Sequence, residues 1–393
     1  MGLEGKLIQF EFATSSRILF GSGKLKEVGV IAISLGRSAL VVVGKSPRRS
    51  QQLIELLEDQ QVKVTPFIVT GEPTTHLIRL GVELARSEGC DLVVGCGGGS
   101  VLDAGKAIAA LLSNDGDVYD YLEVIGKGKT LSLPSLPYIA IPTTAGTGTE
   151  VTRNAVLGAP EFGVKVSLRS PFMLPRLALI DPALTCSVPP SLTASTGLDA
   201  LTQLIEPYVS NSPNPITDAV CREGIQRVAR SLPRVYQNGD DTDAREDMCL
   251  AALFSGFALA NARLGAIHGF AGVLGGSLNA PHGAICARLL PYVAEVNLRA
   301  MKARSPQSQA LIRYNEIARI LTGNPNALAE DGIIWLHEIC ATFKIPTLST
   351  YGLYPSDFPG VIEKSMKASS IKGNPIALTP DEMEEILRNA LGD

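Results

Sequence analysis

Charge, aromatic rings and histidine are all scarce in this chain. Of 393 residues, 19% are charged and 5% aromatic, with one tryptophan and four histidines. A net charge of -4 without any Lys/Arg block offers nothing to neutralise a phosphate backbone, so no nucleic-acid partner is expected. No stretch reaches the roughly 18 uninterrupted apolar residues of a membrane span. The opening "MGLEGKLIQFEFATSS" lacks a basic segment followed by an apolar run and a small-residue cleavage site. A cytoplasmic protein with no membrane partner is expected. Seven cysteines, an odd number without CxxC spacing, argue against a disulfide framework or a zinc finger and for reduced, mostly buried thiols.

What is present is apolar bulk. Hydrophobic residues make up 45% of a chain longer than a single core usually supports, so two domains are expected, with a small molecule as partner. The first half alternates short β-branched runs with helical stretches: "ALVVVG" (39–44), "VKVTPFIVT" (62–70), "DLVVGC" (91–96), "PYIAIP" (137–142) and "LALID" (177–181). Apolar runs of this length separated by helices predict parallel strands covered on both faces. From about Leu192 the pattern becomes long amphipathic stretches, including Leu192–Ser210, Thr217–Tyr236 and Arg245–Ala262. The expected architecture is an N-terminal α/β dinucleotide-binding domain with a parallel sheet (1–188) and an all-α C-terminal domain (189–393). The prolines around Val188–Pro190 mark the boundary.

Two loops suit a nucleotide. In "VVGCGGGSVLDAGKAIA", glycines close a strand and Ser100 opens a helix, where a diphosphate can meet bare backbone and the positive helix start. Neither GxGxxG nor the Walker pattern fits, because both require glycine at Ser100. In "IPTTAGTGTEVTRNAV" (141–156), hydroxyls and two glycines follow another strand and suit a diphosphate, a ribose or a nicotinamide amide.

The opening helix of the second half, "TGLDALTQLIEPYVS", sets Asp199 and Gln203 one turn apart on one side. Such a pair belongs either to a structural network or to a site. Two of the four histidines, His268 and His282, lie in the apolar stretch "LGAIHGFAGVLGGSLNAPHGAICARLLPYV", each followed by glycine. One carboxylate and two imidazoles suit a divalent first-row metal.

Together these motifs resemble the iron-containing (group III) alcohol dehydrogenases, which share the dehydroquinate synthase-like fold. The resemblance runs through "GGGSVLDAGKAIA", "IPTTAGTGTEVT", "KVSLRSPFMLPRLALIDPALTCSVPPSLTASTGLDAL", "IHGFAG…APHG" and "SSIKGNPIALTPDEMEEIL". It implies a diphosphate turn at Gly97, Gly98, Gly99 and Ser100, with Asp103 at its helix start. It further implies nucleotide contacts from Thr143, Thr144, Thr147 and Thr152, and Lys165 near the nicotinamide ribose. The implied metal ligands are Asp199, Gln203, His268 and His282, with Asp199, His268 and His282 at the catalytic centre. Two departures stand out. Relatives usually carry histidine where this chain has Gln203, which weakens the ligand set, and many carry another where it has Gly272, which removes a proton carrier.

The expected reaction is NAD(P)-dependent, metal-assisted interconversion of an alcohol and an aldehyde or ketone, with Fe²⁺ or Zn²⁺ as the metal. Alternatives are a metal-free reductase of the maleylacetate type, a lyase, and a nucleotide-binding homologue that has lost catalysis. The strand end at Gly44 carries no acidic residue for a ribose but is followed by Lys45, Ser46, Arg48 and Arg49, which favours NADP. A homodimer or larger homo-oligomer is expected, with the strand-like "IQFEF" (8–12) pairing across a two-fold axis.

Overall fold

Successive residues of a strand face opposite sides, and the β-branched runs use this fully. Leu40 and Val42 enter one buried cluster while Ala39, Val41 and Val43 enter another. These two clusters are the two faces of one sheet in the computed structural model, which describes residues 9–45, 47–278 and 280–392, without the side chains of 47–49. The strands are β1 (Ile18–Phe20), β2 (Ser38–Val43), β3 (Lys63–Ile68), β4 (Leu92–Gly97), β5 (Tyr138–Pro142), β6 (Asn154–Ala159), β7 (Val164–Arg169) and β8 (Leu177–Ile180). Six of them form one sheet in the order β1-β8-β5-β4-β2-β3, with every pairing parallel. All five expected strands are present.

The chain runs from β2 outward to β3, then returns to lay β4 on the other side of β2. Strand order thus reverses between β2 and β4, and the crevice beyond their carboxyl ends is where open α/β sheets bind ligands. Register keeps those ends level, with Val43 beside Cys96 and Gly97 beside Pro142.

Pairing of the "IQFEF" stretch across a two-fold axis needs a second chain. Within one chain, Ile8 lies outside the described residues, and residues 9–12 form no strand. Phe12 instead packs edge-to-face on Phe257 at 5.9 Å, and the sheet edge on that side is β1. A second feature absent from the sequence expectations is the antiparallel hairpin β6–β7, which places Lys165 against the helical half.

After β8 the chain is helical. The helix Pro190–Val209 is the axis of the second half, packed against Pro215–Gln237, Thr242–Asn261 and His282–Arg304. Among the described residues no single helix is long and apolar enough to cross a membrane. The halves meet through Val151, Ala178, Ile180, Cys249 and Leu253. They also meet where the Thr/Gly loop touches bare helix backbone. Gly148, at φ 61°, lies so close to Gly256 that a Cβ on it would stand 2.4 Å from the Gly256 Cα, and one on Gly146 would stand 2.7 Å from the Thr196 Cβ. These two loop glycines therefore serve the seam between the halves by close approach.

Candidate metal and nucleotide site

The helix Pro190–Val209 places Asp199, Gln203 and Glu206 at i, i+4 and i+7, all three buried. The neighbouring helix Ala266–Ser277 brings His268, and the first residue of His282–Arg304 is His282. The His268 Nε2 lies 3.7 Å and the His282 Nε2 3.9 Å from the same oxygen, Oδ1 of Asp199. The two rings are 5.6 Å apart between centroids. Three of the expected ligands, each from a different helix, thus converge.

Glu206 is absent from the sequence expectations. Its Oε2 lies 2.6 Å from the His268 Nδ1, and its Oε1 accepts a hydrogen bond from the Ile267 N–H at 2.7 Å. The first contact fixes the imidazole so that Nε2 faces Asp199, and the second satisfies an open N–H of the helix start. Asn374, from the closing "GNP" motif, accepts from the adjacent Ala266 N–H at 3.1 Å. Two distant residues therefore cap a helix whose own start, Gly265, offers no side chain. Spacing alone points to Glu206, since it repeats the position of Asp199 after two turns.

The donors fit a metal. Asp199 Oδ1 and His268 Nε2 are buried and have no hydrogen-bond partner among the described residues. Their separation of 3.7 Å is too long for a hydrogen bond. Leaving a buried polar group unpaired costs about 1–3 kcal/mol, and a cation between these two satisfies both. Burial opposes the charged form of His268, but the Glu206 carboxylate and then Asp199 prevail and raise its pKa. Enclosure by neighbouring atoms lowers the pKa of His282 against the pull of Asp199, aided by His268 and Lys165, although 38% of its side chain still meets solvent.

Gln203 is placed differently from the other three. Its Nε2 lies 3.4 Å from Asp199 Oδ2, the oxygen turned away from the histidines, and its Oε1 lies 3.1 Å from the Ser255 hydroxyl. That hydroxyl has one proton and also approaches the Ala252 carbonyl at 2.8 Å. A fourth titratable donor instead comes from the helix of His282: Cys286 Sγ is 3.6 Å from the His282 Nε2. The ligand atoms of Asp199, His268, His282 and Cys286 all lie within 4.8 Å of one another. In the sequence Cys286 reads as an ordinary buried thiol, although it follows His282 by one helical turn.

Most of the residues expected to meet a nucleotide gather at the carboxyl ends of β2, β4 and β5. Gly44 follows β2; Gly97 ends β4; Gly98 precedes the helix Gly99–Ser113 with no side-chain cap. A Cβ on Gly97 would stand 2.6 Å from Val101, so glycine there answers to packing. A Cβ on Gly98 would meet only Thr144 at 3.5 Å, an ordinary contact, and its φ of -74° suits any residue. Thr147 lies against Gly99, and Thr143 is buried with its N–H bonded to the Gly97 carbonyl at 2.9 Å. Ser100 sits half-buried in the first turn.

Asp103 and Thr152 are engaged within the protein. Asp103 accepts from the Thr149 hydroxyl and from the Val156 N–H. Thr152 accepts from Lys106, a buried lysine that also reaches the Thr149 carbonyl at 2.7 Å and the Asn154 carbonyl at 2.8 Å. Burial lowers the Lys106 pKa to about 8. Together Asp103 and Lys106 lash the glycine-turn helix to the loop after β5. Lys165 pairs with Glu72 at 3.2 Å, lies beside Gly275, and is close enough to His282 to act on its charge. Around Gly272 a Cβ would find nothing within 4 Å, so this position faces open space.

The profile of iron-containing alcohol dehydrogenases matches residues 15–182, and that of the C-terminal part of the same family matches residues 193–391. Alcohol dehydrogenase 4 of Schizosaccharomyces pombe is 37% identical over 95% of this chain and 87% of its own length. The 1,3-propanediol dehydrogenase of Citrobacter freundii is 35% identical over 97% of this chain and 98% of its own. A crystal structure of 1,3-propanediol oxidoreductase superposes with a TM-score of 0.90 at 34% identity, covering 98% of this chain and all of that one. With its parallel sheet, helical second half and converging Asp199, His268 and His282, the chain belongs to the iron-containing alcohol dehydrogenase family and is an oxidoreductase acting on a CH–OH group.

Proposed function

We propose that the protein interconverts a small alcohol and its aldehyde or ketone with NADP or NAD, at a divalent metal held by Asp199, His268 and His282. The observation that carries this is the buried, unpartnered pair of Asp199 Oδ1 and His268 Nε2, 3.7 Å apart and backed by Glu206. The metal would supply Lewis acidity at the substrate oxygen, and the nicotinamide would exchange hydride with the carbon beside it. Gln203 is a weak or water-mediated fourth donor only with its amide turned over, Nε2 toward Ser255 and Oε1 toward Asp199.

This chain's residues do the remaining work. Gly98, Gly99 and Ser100 present a helix start to the diphosphate, with Thr144 and Thr147 beside it and Gly44 across the strand reversal. Thr143, Asp103 and Thr152 support that loop from beneath, the latter two through Thr149 and Lys106. Lys165 and Glu72 flank the open side of His282, toward the nicotinamide ribose. Without histidine at Gly272, the alcohol proton leaves by water or a ribose hydroxyl.

The finer assignments follow from position. Lys45 is exposed beyond β2 and favours a 2′-phosphate, hence NADP; Ser46 and the side chains of Arg48 and Arg49 lie outside the described residues. The functional boundary is set at 188/189, between nucleotide and metal. The protein assembles as a homodimer or larger homo-oligomer, checked by light scattering at micromolar concentration.

The deciding experiment purifies the protein without oxygen, determines its metal content, and measures oxidation of NADPH and NADH with an aldehyde panel before and after chelation. Turnover lost on chelation and restored by Fe²⁺ or Zn²⁺, with NADPH preferred, supports the assignment. Undiminished turnover by metal-free protein would replace it with a metal-free reductase.

A further inference from the structure

We propose that Cys286 is the fourth protein ligand of this centre, so that its donor set of one carboxylate, two imidazoles and one thiolate selects zinc over iron. The proposal rests on the metal site argued above and goes beyond it by assigning a ligand and a metal preference.

His282 and Cys286 are i and i+4 on one helix, with Sγ and Nε2 3.6 Å apart. Around tetrahedral zinc, bonds of about 2.0–2.1 Å to N or O and about 2.3 Å to S give ligand-to-ligand edges of about 3.3–3.6 Å. The observed edges are 3.6 Å for Cys286–His282, 3.7 Å for His268–Asp199 and 3.9 Å for His282–Asp199. A contraction of a few tenths of an ångström would bring these three edges to that length, and the other three lie within 4.8 Å. Gln203, by contrast, lies against the other oxygen of Asp199.

The thiol belongs to the apolar cluster of the helical half but also faces the metal donors. Cys221 and Cys340 are buried in the same apolar cluster, and Cys340 donates to the Ala287 carbonyl. Cys286 is buried equally, yet it borders an imidazole and the Asp199 carboxylate. Two further donors aimed into the same space, Asp199 Oδ1 and His268 Nε2, belong to side chains more than nine-tenths buried and are unpartnered among the described residues.

Softness favours the thiolate. On ligation the thiol gives its proton to solvent, and no other bond is made or broken. Thiolate is a soft donor that suits zinc, while carboxylate and imidazole alone discriminate poorly. Gly272, one turn after His268 on the same helix, leaves open space for a substrate beside the four donors.

The test uses the full chain stripped of metal and titrated with Co²⁺, a spectroscopic stand-in for zinc. Wild type should bind one equivalent with a near-ultraviolet thiolate-to-cobalt band and visible bands of tetrahedral intensity. Gln203→Leu should keep the near-ultraviolet band; Cys286→Ser should lose it and bind Co²⁺ at least tenfold more weakly. X-ray absorption of zinc-loaded wild type should show one sulfur neighbour, a readout independent of any variant's folding. Stoichiometric Co²⁺ or Zn²⁺ binding without a sulfur signal overturns the ligand and leaves the metal site standing. Failure of wild type to bind either ion overturns both. Tighter binding of Fe²⁺ than Zn²⁺ in a competition assay overturns the stated preference.

Discussion

Glu206 holds His268 by two routes at once: one carboxylate oxygen lies 2.6 Å from the ring Nδ1, and the other accepts from the preceding residue's N–H at 2.7 Å. Ring orientation and helix start are therefore set by one side chain. Glu206→Gln would keep an oxygen for Ile267 but turn an amide N–H toward Nδ1. That contact moves the imidazole proton to Nε2, where it would occupy the position meant for a metal. We expect a folded variant whose metal affinity falls by about 10–100-fold, measured by competition with a chromogenic chelator. Unchanged affinity would reduce Glu206 to a helix cap.

Gly98 and Gly97 are neighbours with opposite reasons to be glycine. A Cβ on Gly98 makes only ordinary contact with Thr144 and the backbone there is allowed, so Gly98→Val should cost less stability than Gly97→Ala while nucleotide affinity falls at least tenfold. Gly97→Ala collides with Val101 and should lose about 1–3 kcal/mol of stability instead. Fluorescence titration with NADPH beside thermal melts separates the two. Unaltered binding by Gly98→Val would make the turn purely structural.

The seam offers a test of how loop and helical half are joined. A Cβ on Gly256 would stand 2.4 Å from the Gly148 carbonyl oxygen, a backbone atom that cannot swing aside. Gly256→Ala should cost about 1–3 kcal/mol and shift the Thr143–Thr147 loop, raising the KM for nucleotide as well as lowering the denaturant midpoint. A stability loss with no change in KM would uncouple the seam from nucleotide binding.

Glu150 supplies a pH dependence away from the metal donors. Burial raises its pKa from 4.5 to about 7, so between those values the folded protein holds a proton that the unfolded chain has released. Stability on this account falls as pH rises from 4.5 to about 7, by up to about 3 kcal/mol, and is level above. Glu150→Gln removes the titration. Urea unfolding should show its advantage over wild type growing across that window and constant beyond it. A difference independent of pH would refute the assignment.

Much of the molecule is written in local sequence. The β-branched runs at 39–44 and 91–96, the glycines that follow the second, and the change to a helical period after Leu192 specify a parallel sheet followed by helices, because strand and helix periods are local properties. The four implied ligands are legible as residue types, but their roles are not. Asp199, Gln203 and Glu206 share one helical face. Which carboxylate meets a ring and which amide meets Ser255 depends on how the helices Thr242–Asn261, Ala266–Ser277 and His282–Arg304 cross that face. Cys286 looks like an ordinary core residue in the sequence, and nothing there marks Lys106 as buried, because composition does not record neighbours. The "IQFEF" stretch alternates like a strand, and within one chain Phe12 packs on Phe257. Local sequence decides which side chains share a face of one element. The packing of distant elements decides what each face meets, because those contacts are made across tens of residues of intervening chain.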